Sequence, residues 1–283
     1  MLADSAASNG EPIPPKRESS AKPMRSRGFK ANRIKPNKQI TLLNLINITM
    51  KNRIWITALS LMGFVLILLN SCKKSNDSAI TVADKDGNIY KAVTIGTQVW
   101  MAENLKTTKY LNGDLIGTTS QPTSNISGES NPEYQWAFGG NESNVATYGR
   151  LYTWYAATDT RNVCPTGWHV PTNVEFTTLM TYLGGDTIAG RKLKETGTTH
   201  WASPNTGATN ETGFTALPGG YHGYEGSYNF MGYTGYFWSS TEVDANNAWY
   251  RGLYYNGSYD HNLSTSKMVG FAVRCIKGNL PGK

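Results

Sequence analysis

CPTGWHVPTNVEFTTLMTYLGG, residues 164–185, is the stretch whose reading decides the fold. Thr172, Asn173, Val174 and Glu175 spell a T-x-x-E capping box, in which the threonine hydroxyl and the glutamate carboxylate accept hydrogen bonds from each other's free backbone N–H groups at a helix start. Phe176, Leu179, Met180 and Leu183 follow at i, i+3, i+4 and i+7, which is one apolar face of a helix, and Gly184-Gly185 supplies the stop. A shorter helix is predicted upstream over 151–157, where Leu151, Trp154 and Tyr155 share a face, and a helical turn downstream over 189–194.

On either side of this helical centre the pattern changes to strands and turns. Asp86-Gly87-Asn88 reads as a hairpin turn, followed by a strand at 89–93, a Gly96-Thr97 turn and a strand at 98–101. Residues 112–147 are rich in Gly, Ser, Asn and Thr without a period and read as a long surface loop. From Trp201 onward, short aromatic and apolar strands, such as 248–250 and 270–274, stand between Gly, Asn and Ser turns. The fold class is therefore α+β, two helices packed on a loop-rich, mostly antiparallel sheet.

Charge separates the chain into two parts. Of its 27 Lys/Arg and 20 Asp/Glu, residues 1–71 hold 11 and 3, a net +8, while residues 72–283 hold 16 and 17, a net −1. All 16 tyrosines and seven of the eight tryptophans lie in the second part. A nucleic-acid surface needs its basic stripe on the folded domain, so the near-neutral body predicts no nucleic-acid partner. Aromatic content of 11% argues against a disordered body.

From Met50 the sequence runs MKNRIWITALSLMGFVLILLNSC: Lys51 and Arg53, a short apolar run, then Cys72. A positive start with an apolar run shorter than a spanning helix is the pattern of an export signal over 50–71. The ending Leu69-Asn70-Ser71-Cys72 resembles the bacterial lipobox, which implies lipidation of Cys72, an outer-membrane anchor and a tether over 72–80. The alternative is an uncleaved signal anchor. Residues 1–49 read as a disordered basic leader ahead of the true start at Met50, or else as a cytosolic tail. With Cys72 assigned to lipid, Cys164 and Cys275 remain, and an exported chain is expected to pair them; two separate buried thiols are the other reading.

Several strings carry a family resemblance. They are 86–90 (DGNIY), 95–105 (IGTQVWMAENL), 148–152 (YGRLY), 164–172 (CPTGWHVPT), 213–220 (GFTALPGG), 238–241 (WSST) and 270–275 (GFAVRC). In this order they resemble the Fibrobacter succinogenes major paralogous domain, over about residues 81–277, with 278–283 as a tail. The resemblance implies an exported lipoprotein of Bacteroidetes-like bacteria, at the cell surface or the periplasmic face, and assigns no reaction. The WHVPT helix start and the GFAVRC ending are also similar to the wider C-type-lectin-like and formylglycine-generating-enzyme group. That similarity implies a C-type-lectin-like fold and a bridge between Cys164 and Cys275.

Catalytic signals are weak. Formylglycine-generating chemistry needs a reactive cysteine pair ahead of the terminal strand, and 238–269 contains no cysteine. His169, His200, His222 and His261 have no metal-ligand spacing, and neither a G-x-S-x-G elbow nor a P-loop is present. The expectation is a non-enzymatic binding domain, its ligand a polysaccharide or an envelope protein, with a divergent formylglycine-generating-like enzyme or a purely structural lipoprotein as alternatives. The aromatic run 221–259 suits such ligands, because flat rings cover apolar C–H faces while hydroxyls and amides meet polar groups. Within it, Tyr254, Tyr255 and Tyr259 are expected as the exposed ligand-binding rings with Arg251 as polar partner, and Trp238 and Trp249 as at least partly buried. No cofactor is expected; Asn210, Glu211, Glu242, Asp244 and Asp260 are the candidates for a structural calcium, and the calcium motifs of lectins are lacking.

Overall fold

A computed structural model describes Met50 and residues 80–278. The expectations for the basic leader, the export signal and Cys72 lie outside the described residues. No helix among the described residues is long and apolar enough to cross a membrane.

The first strands form as the turn chemistry dictates. Asp84 Oδ1 accepts from the backbone N–H groups of Asp86 and Asn88, folding β1 (Thr81–Ala83) onto β2 (Ile89–Ile95), and Gly96 at φ 62° turns β2 into β3 (Gln98–Met101). Next come β4 (Gln135–Trp136), α1 (Val145–Tyr148), β5 (Leu151–Tyr152), α2 (Trp154–Thr158) and β6 (Trp168–His169). The predicted 151–157 helix is corrected here. Leu151 and Tyr152 pair with β4, and the helix starts only after Thr153, whose hydroxyl accepts from Ala156 N–H as its cap. The capping-box helix forms as α3 (Asn173–Tyr182), and the expected helical turn is α4 (Asp186–Leu193).

The rest is sheet: β7 (Gly219–His222), β8 (Tyr228–Met231), β9 (Thr234–Glu242), β10 (Asn247–Tyr254), β11 (Asp260–Ser266) and β12 (Ile276–Lys277). One five-stranded sheet runs β1-β2-β3-β12-β6, the other β11-β10-β9-β7-β8, and β4-β5 is a separate ribbon. The pairings are antiparallel except β7 with β9. The fold is α+β and dominated by sheet, with one disulfide: Cys164 and Cys275 are bonded, 111 residues apart in sequence. In the chain-entropy view, closing a loop of that length stabilises the fold by about 4–5 kcal/mol.

Segment 270–274, predicted as a strand, is extended but belongs to no single ladder. Gly270 exchanges backbone hydrogen bonds with His222, Phe271 with Tyr152, and Ala272 with Tyr236 and Trp238. Leu105 N–H donates to Val273 O, Met101 N–H to Cys275 O, and Ile276 then joins β3 to β6. Consecutive residues thus tie separate elements together, which explains why the segment is buried on both faces.

Arg274 lies within it, its guanidinium almost wholly buried. Its five N–H donors all find acceptors. Nε and Nη2 donate to Asn104 Oδ1 at 3.1 and 2.7 Å, Nη1 to the carbonyls of Met101 and Phe214, and Nη2 also to Thr215 O. The cation lies 4.3 Å from the Phe214 ring centre. Asn104 Nδ2 in turn donates to Tyr148 O, and the next residue must be glycine: Gly149 stands at φ 73°, and a Cβ there would lie 2.6 Å from Asn104 Cβ. Arg274→Met orphans an amide oxygen and buried carbonyls at about 1–3 kcal/mol each, so a loss of about 3 kcal/mol or more is expected from the urea midpoint. Arg274→Lys is expected to recover only part of it, because an ammonium cannot reproduce the planar fork.

At the start of α3, Thr172 N–H donates to Glu175 Oε2 at 2.8 Å, and Glu175 N–H to Thr172 Oγ1 at 3.2 Å. His169 adds a third party: its Nε2 lies 2.9 Å from Glu175 Oε1 and its Nδ1 2.8 Å from Gly278 O. Burial opposes charge on both groups. The hydrogen bonds outweigh it, holding the His169 imidazole above its ordinary 6.5 and the Glu175 carboxyl below its ordinary 4.5. The carboxylate contribution is complete above 4.5 and fades as pH falls through the lowered value; the imidazolium contribution is complete below 6.5 and fades as pH rises through the raised one. The wild type's margin in thermal midpoint over His169→Gln is therefore expected to be widest between pH 4.5 and 6.5 and to narrow on both sides. Its maximum should be about 1 kcal/mol, the net worth of a hydrogen bond, or about 2–4 °C for a domain of this size. A margin independent of pH from 4 to 9 contradicts the charged pair.

Candidate functional site

The register of β9 and β10 sorts the aromatic run onto two faces. Tyr250 pairs with Trp238, Arg251 with Phe237, Gly252 with Tyr236 and Leu253 with Gly235. Period-2 alternation then sends Phe237, Arg251 and Leu253 toward α3 and α4, and Tyr236, Trp238, Tyr250 and Tyr254 to the opposite face. Trp238 is buried there, its Nε1 donating to Tyr152 O, and Trp249 is half-buried, as expected of both.

Arg251 is not the exposed partner expected from the sequence. Its side chain is 2% exposed; Nη1 donates to Asp260 Oδ2 at 2.6 Å, and Nη2 to Thr177 Oγ1 and Asn173 Oδ1 on α3. It clamps the helix to the sheet, and burial pushes the Asp260 carboxyl up to about 6 against the pull of this arginine. The three expected tyrosines also fail to make one platform. Tyr254 and Tyr259 both rest edge-on against His261, each 4.6 Å from it, while Tyr255 turns the other way against Tyr233. Of the three, only Tyr259 is well exposed, at 45%, with Tyr254 and Tyr255 half-buried. Their turn is pinned from beneath by Lys194, whose buried ammonium donates to the carbonyls of Thr206, Tyr254 and Gly257; burial lowers its pKa to about 8.

The aromatic face instead opens as a cleft of about 390 Å³ between β7, β8, β10 and the terminal segment. Tyr236 and Phe271 form its floor, ring centres 4.9 Å apart. Tyr221 and Tyr250 rise from that floor as walls: Tyr221 meets Tyr236 at 67° and Phe271 at 84°, and Tyr250 meets Tyr236 at 83°. Phe230, 54% exposed, leans over Tyr221, and Tyr224 and Glu225 form the rim. Phe230 stands at φ 62°, a conformation a bulky side chain rarely takes, where β8 passes the Cβ-free Gly220 of β7. Ser227 Oγ donates to the Glu225 carboxylate and holds its pKa below the ordinary range. Tyr221, Tyr224, Tyr236 and Tyr250 belong to the aromatic run 221–259; Glu225 and Phe230 lie within it without being singled out, and Phe271 lies outside it. The pairing register is the only signal that groups them, and it appears only on folding.

A larger cleft of about 740 Å³ is lined by Trp154, Trp168, Asp159, Asn162, His169 and Glu242, among others. Its chemistry is consumed internally: both His169 nitrogens are engaged, Asp159 accepts from Arg161, Glu242 accepts from Lys267, and Asn162 bonds Cys164 N–H and Trp168 O. Of the other histidines, His200 pairs with Glu195, His222 places Nε2 at Pro122 O and stacks on Trp136, and His261 packs between two tyrosines. The calcium candidates have separate partners. Glu211 pairs with Lys192, Asp260 with Arg251, Asn210 with Thr215, and Asp244 caps the backbone of Asn246 and Asn247. No group of three metal-ligating side chains is found among the described residues.

The model of the Fibrobacter succinogenes major domain matches residues 93–277. No curated protein and no solved structure matches the chain. The matched span opens inside β2 and closes on the last residue of β12, taking in the disulfide, the Arg274 hub and every strand of the second sheet. The chain belongs to the Fibrobacter succinogenes major domain family.

Proposed function

We propose that this chain is an exported envelope protein, anchored to the outer membrane through lipid on Cys72, whose domain binds a polysaccharide without catalysis. The observation that carries the reading is the open cleft walled by Tyr221 and Tyr250, with Tyr224 and Phe230 left exposed at its rim. Exposed rings cost solvation unless something covers them, and rings with phenol groups cover the mixed apolar and hydroxylated faces of sugars well. The anchor rests on the basic, apolar and Leu69-Asn70-Ser71-Cys72 order of the sequence. The same reading takes the fold as C-type-lectin-like, supported by a bridge from the cysteine ahead of α3 to the terminal segment. A formylglycine-generating-like oxidase is disfavoured because 238–269 holds no cysteine and Cys164 and Cys275 are bonded to each other.

The test is retention of the full chain, in detergent, on a panel of insoluble polysaccharides with and without EDTA. Saturable retention on at least one polymer is expected, unchanged by EDTA and weakened about tenfold or more by Tyr224→Ala and Tyr221→Ala, the magnitude of a central aromatic contact. Tyr255→Ala, on the opposite face, is expected to bind as the wild type does. Retention on no polymer by a chain with an intact thermal transition overturns the reading in favour of a protein ligand or a structural role.

A further inference from the structure

We infer that the group seated in the aromatic cleft is a compact organic cation, a methylated ammonium of the choline type. The inference rests on the proposal that this cleft is the binding site, and goes beyond it in naming the chemistry recognised. Three observations carry it.

The first is shape. Tyr221 and Tyr250 stand on the Tyr236 and Phe271 floor at 52–84°, and the floor rings meet each other at 31°, so the exposed rim can lie along a sugar chain while the walled interior suits a rounded substituent. Rings set edge to face around about 390 Å³ enclose a rounded group from several sides. The second is the π-electron field. The negative faces of several aromatic rings attract a cation, and a quaternary ammonium gains most because it gives up little hydration on entering. The third is charge. The cleft is lined by one carboxylate, Glu225, and by no Lys, Arg or His. Ser227 holds that carboxylate in its ionised form, and its field reaches the Tyr221 phenol, whose pKa burial and Glu225 together raise. A polymer that carries such a cation as a substituent gains from this arrangement, and an anion is repelled by it.

The experiment is calorimetric titration of the full chain in detergent with choline chloride, and in parallel with 3,3-dimethylbutan-1-ol, which has the same shape without the charge. Choline is expected to bind about tenfold more tightly than the alcohol, the scale of a partly desolvated cation–π contact. Glu225→Gln, an exposed change that leaves the thermal midpoint in place, is expected to weaken choline severalfold and to leave the alcohol unaffected. Tyr250→Phe should retain choline and Tyr250→Leu should lose it. Equal binding of both probes, no effect of Glu225→Gln, or no choline binding overturns the inference. The two proposals fail separately. A polysaccharide retained through Tyr224 that choline does not displace removes the cation and keeps the cleft, whereas choline binding without retention on any polymer removes the polysaccharide and keeps the cation.

Discussion

A guanidinium with almost no contact with water is the constraint around which the domain is arranged. Moving such a charge out of water costs several kcal/mol unless every donor is met, so Arg274 can be buried only if its surroundings supply acceptors in the plane of its fork. They come from three distant parts of the chain: the Met101–Asn104 corner after β3, the Phe214–Thr215 turn and, through Asn104, the Tyr148 carbonyl. None can shift without leaving a donor unpaired. Burial lowers the arginine's pKa to about 9, which still leaves it charged at neutral pH, so the demand is permanent.

This accounts for what the recognisable strings of the sequence do. AENL supplies Asn104, YGR supplies the Tyr148 carbonyl and the close approach at Gly149, GFT supplies the Phe214 ring and carbonyl, and GFAVRC supplies the arginine. WSST follows the same logic at the helix: Thr241 Oγ1 accepts from Asn173 N–H, and Ser240 N–H donates to Pro171 O. The strings are therefore instructions for assembling a scaffold. They identify the family while being silent on chemistry, because their polar groups are already satisfied by one another.

What the sequence revealed follows from the range of the interactions. The capping box, the α3 face and the Asp86-Gly87 hairpin are local, involve neighbours within a few residues, and formed where expected. The 151–157 helix failed at its first three residues because β4, some fifteen residues away, pairs with Leu151 and Tyr152 and leaves Thr153 as the cap, and a periodicity of three positions carries no information about that. The error at Arg251 has the same origin. An arginine among tyrosines and glycines looks like a surface residue until α3 is found to present Thr177 and Asn173 to it and β11 to present Asp260. Tyr254, Tyr255 and Tyr259 are the rings expected to be exposed, but their turn hangs on a buried lysine that nothing nearby in sequence announces.

The same register that hides Arg251 exposes the cleft. A strand has two faces, and in β9 and β10 one is used up by the helices, with Phe237 and Leu253 in their core. The other carries Tyr236, Trp238, Tyr250 and Tyr254, and its Tyr221 end is overhung by Phe230, itself left in water. Had the purpose been packing alone, aliphatic side chains would fill that face at lower polar cost, since buried phenols need partners and the Tyr236–Tyr254 hydroxyl contact, at 3.4 Å, is a long one. Burial raises the pKa of Tyr236 and Tyr250 above 10, so the phenols stay neutral and keep their protons as donors. A face that retains hydroxyls, leaves its rim rings in water and accepts a left-handed Phe230 to hold one of them there carries costs that a covered, purely structural face would avoid.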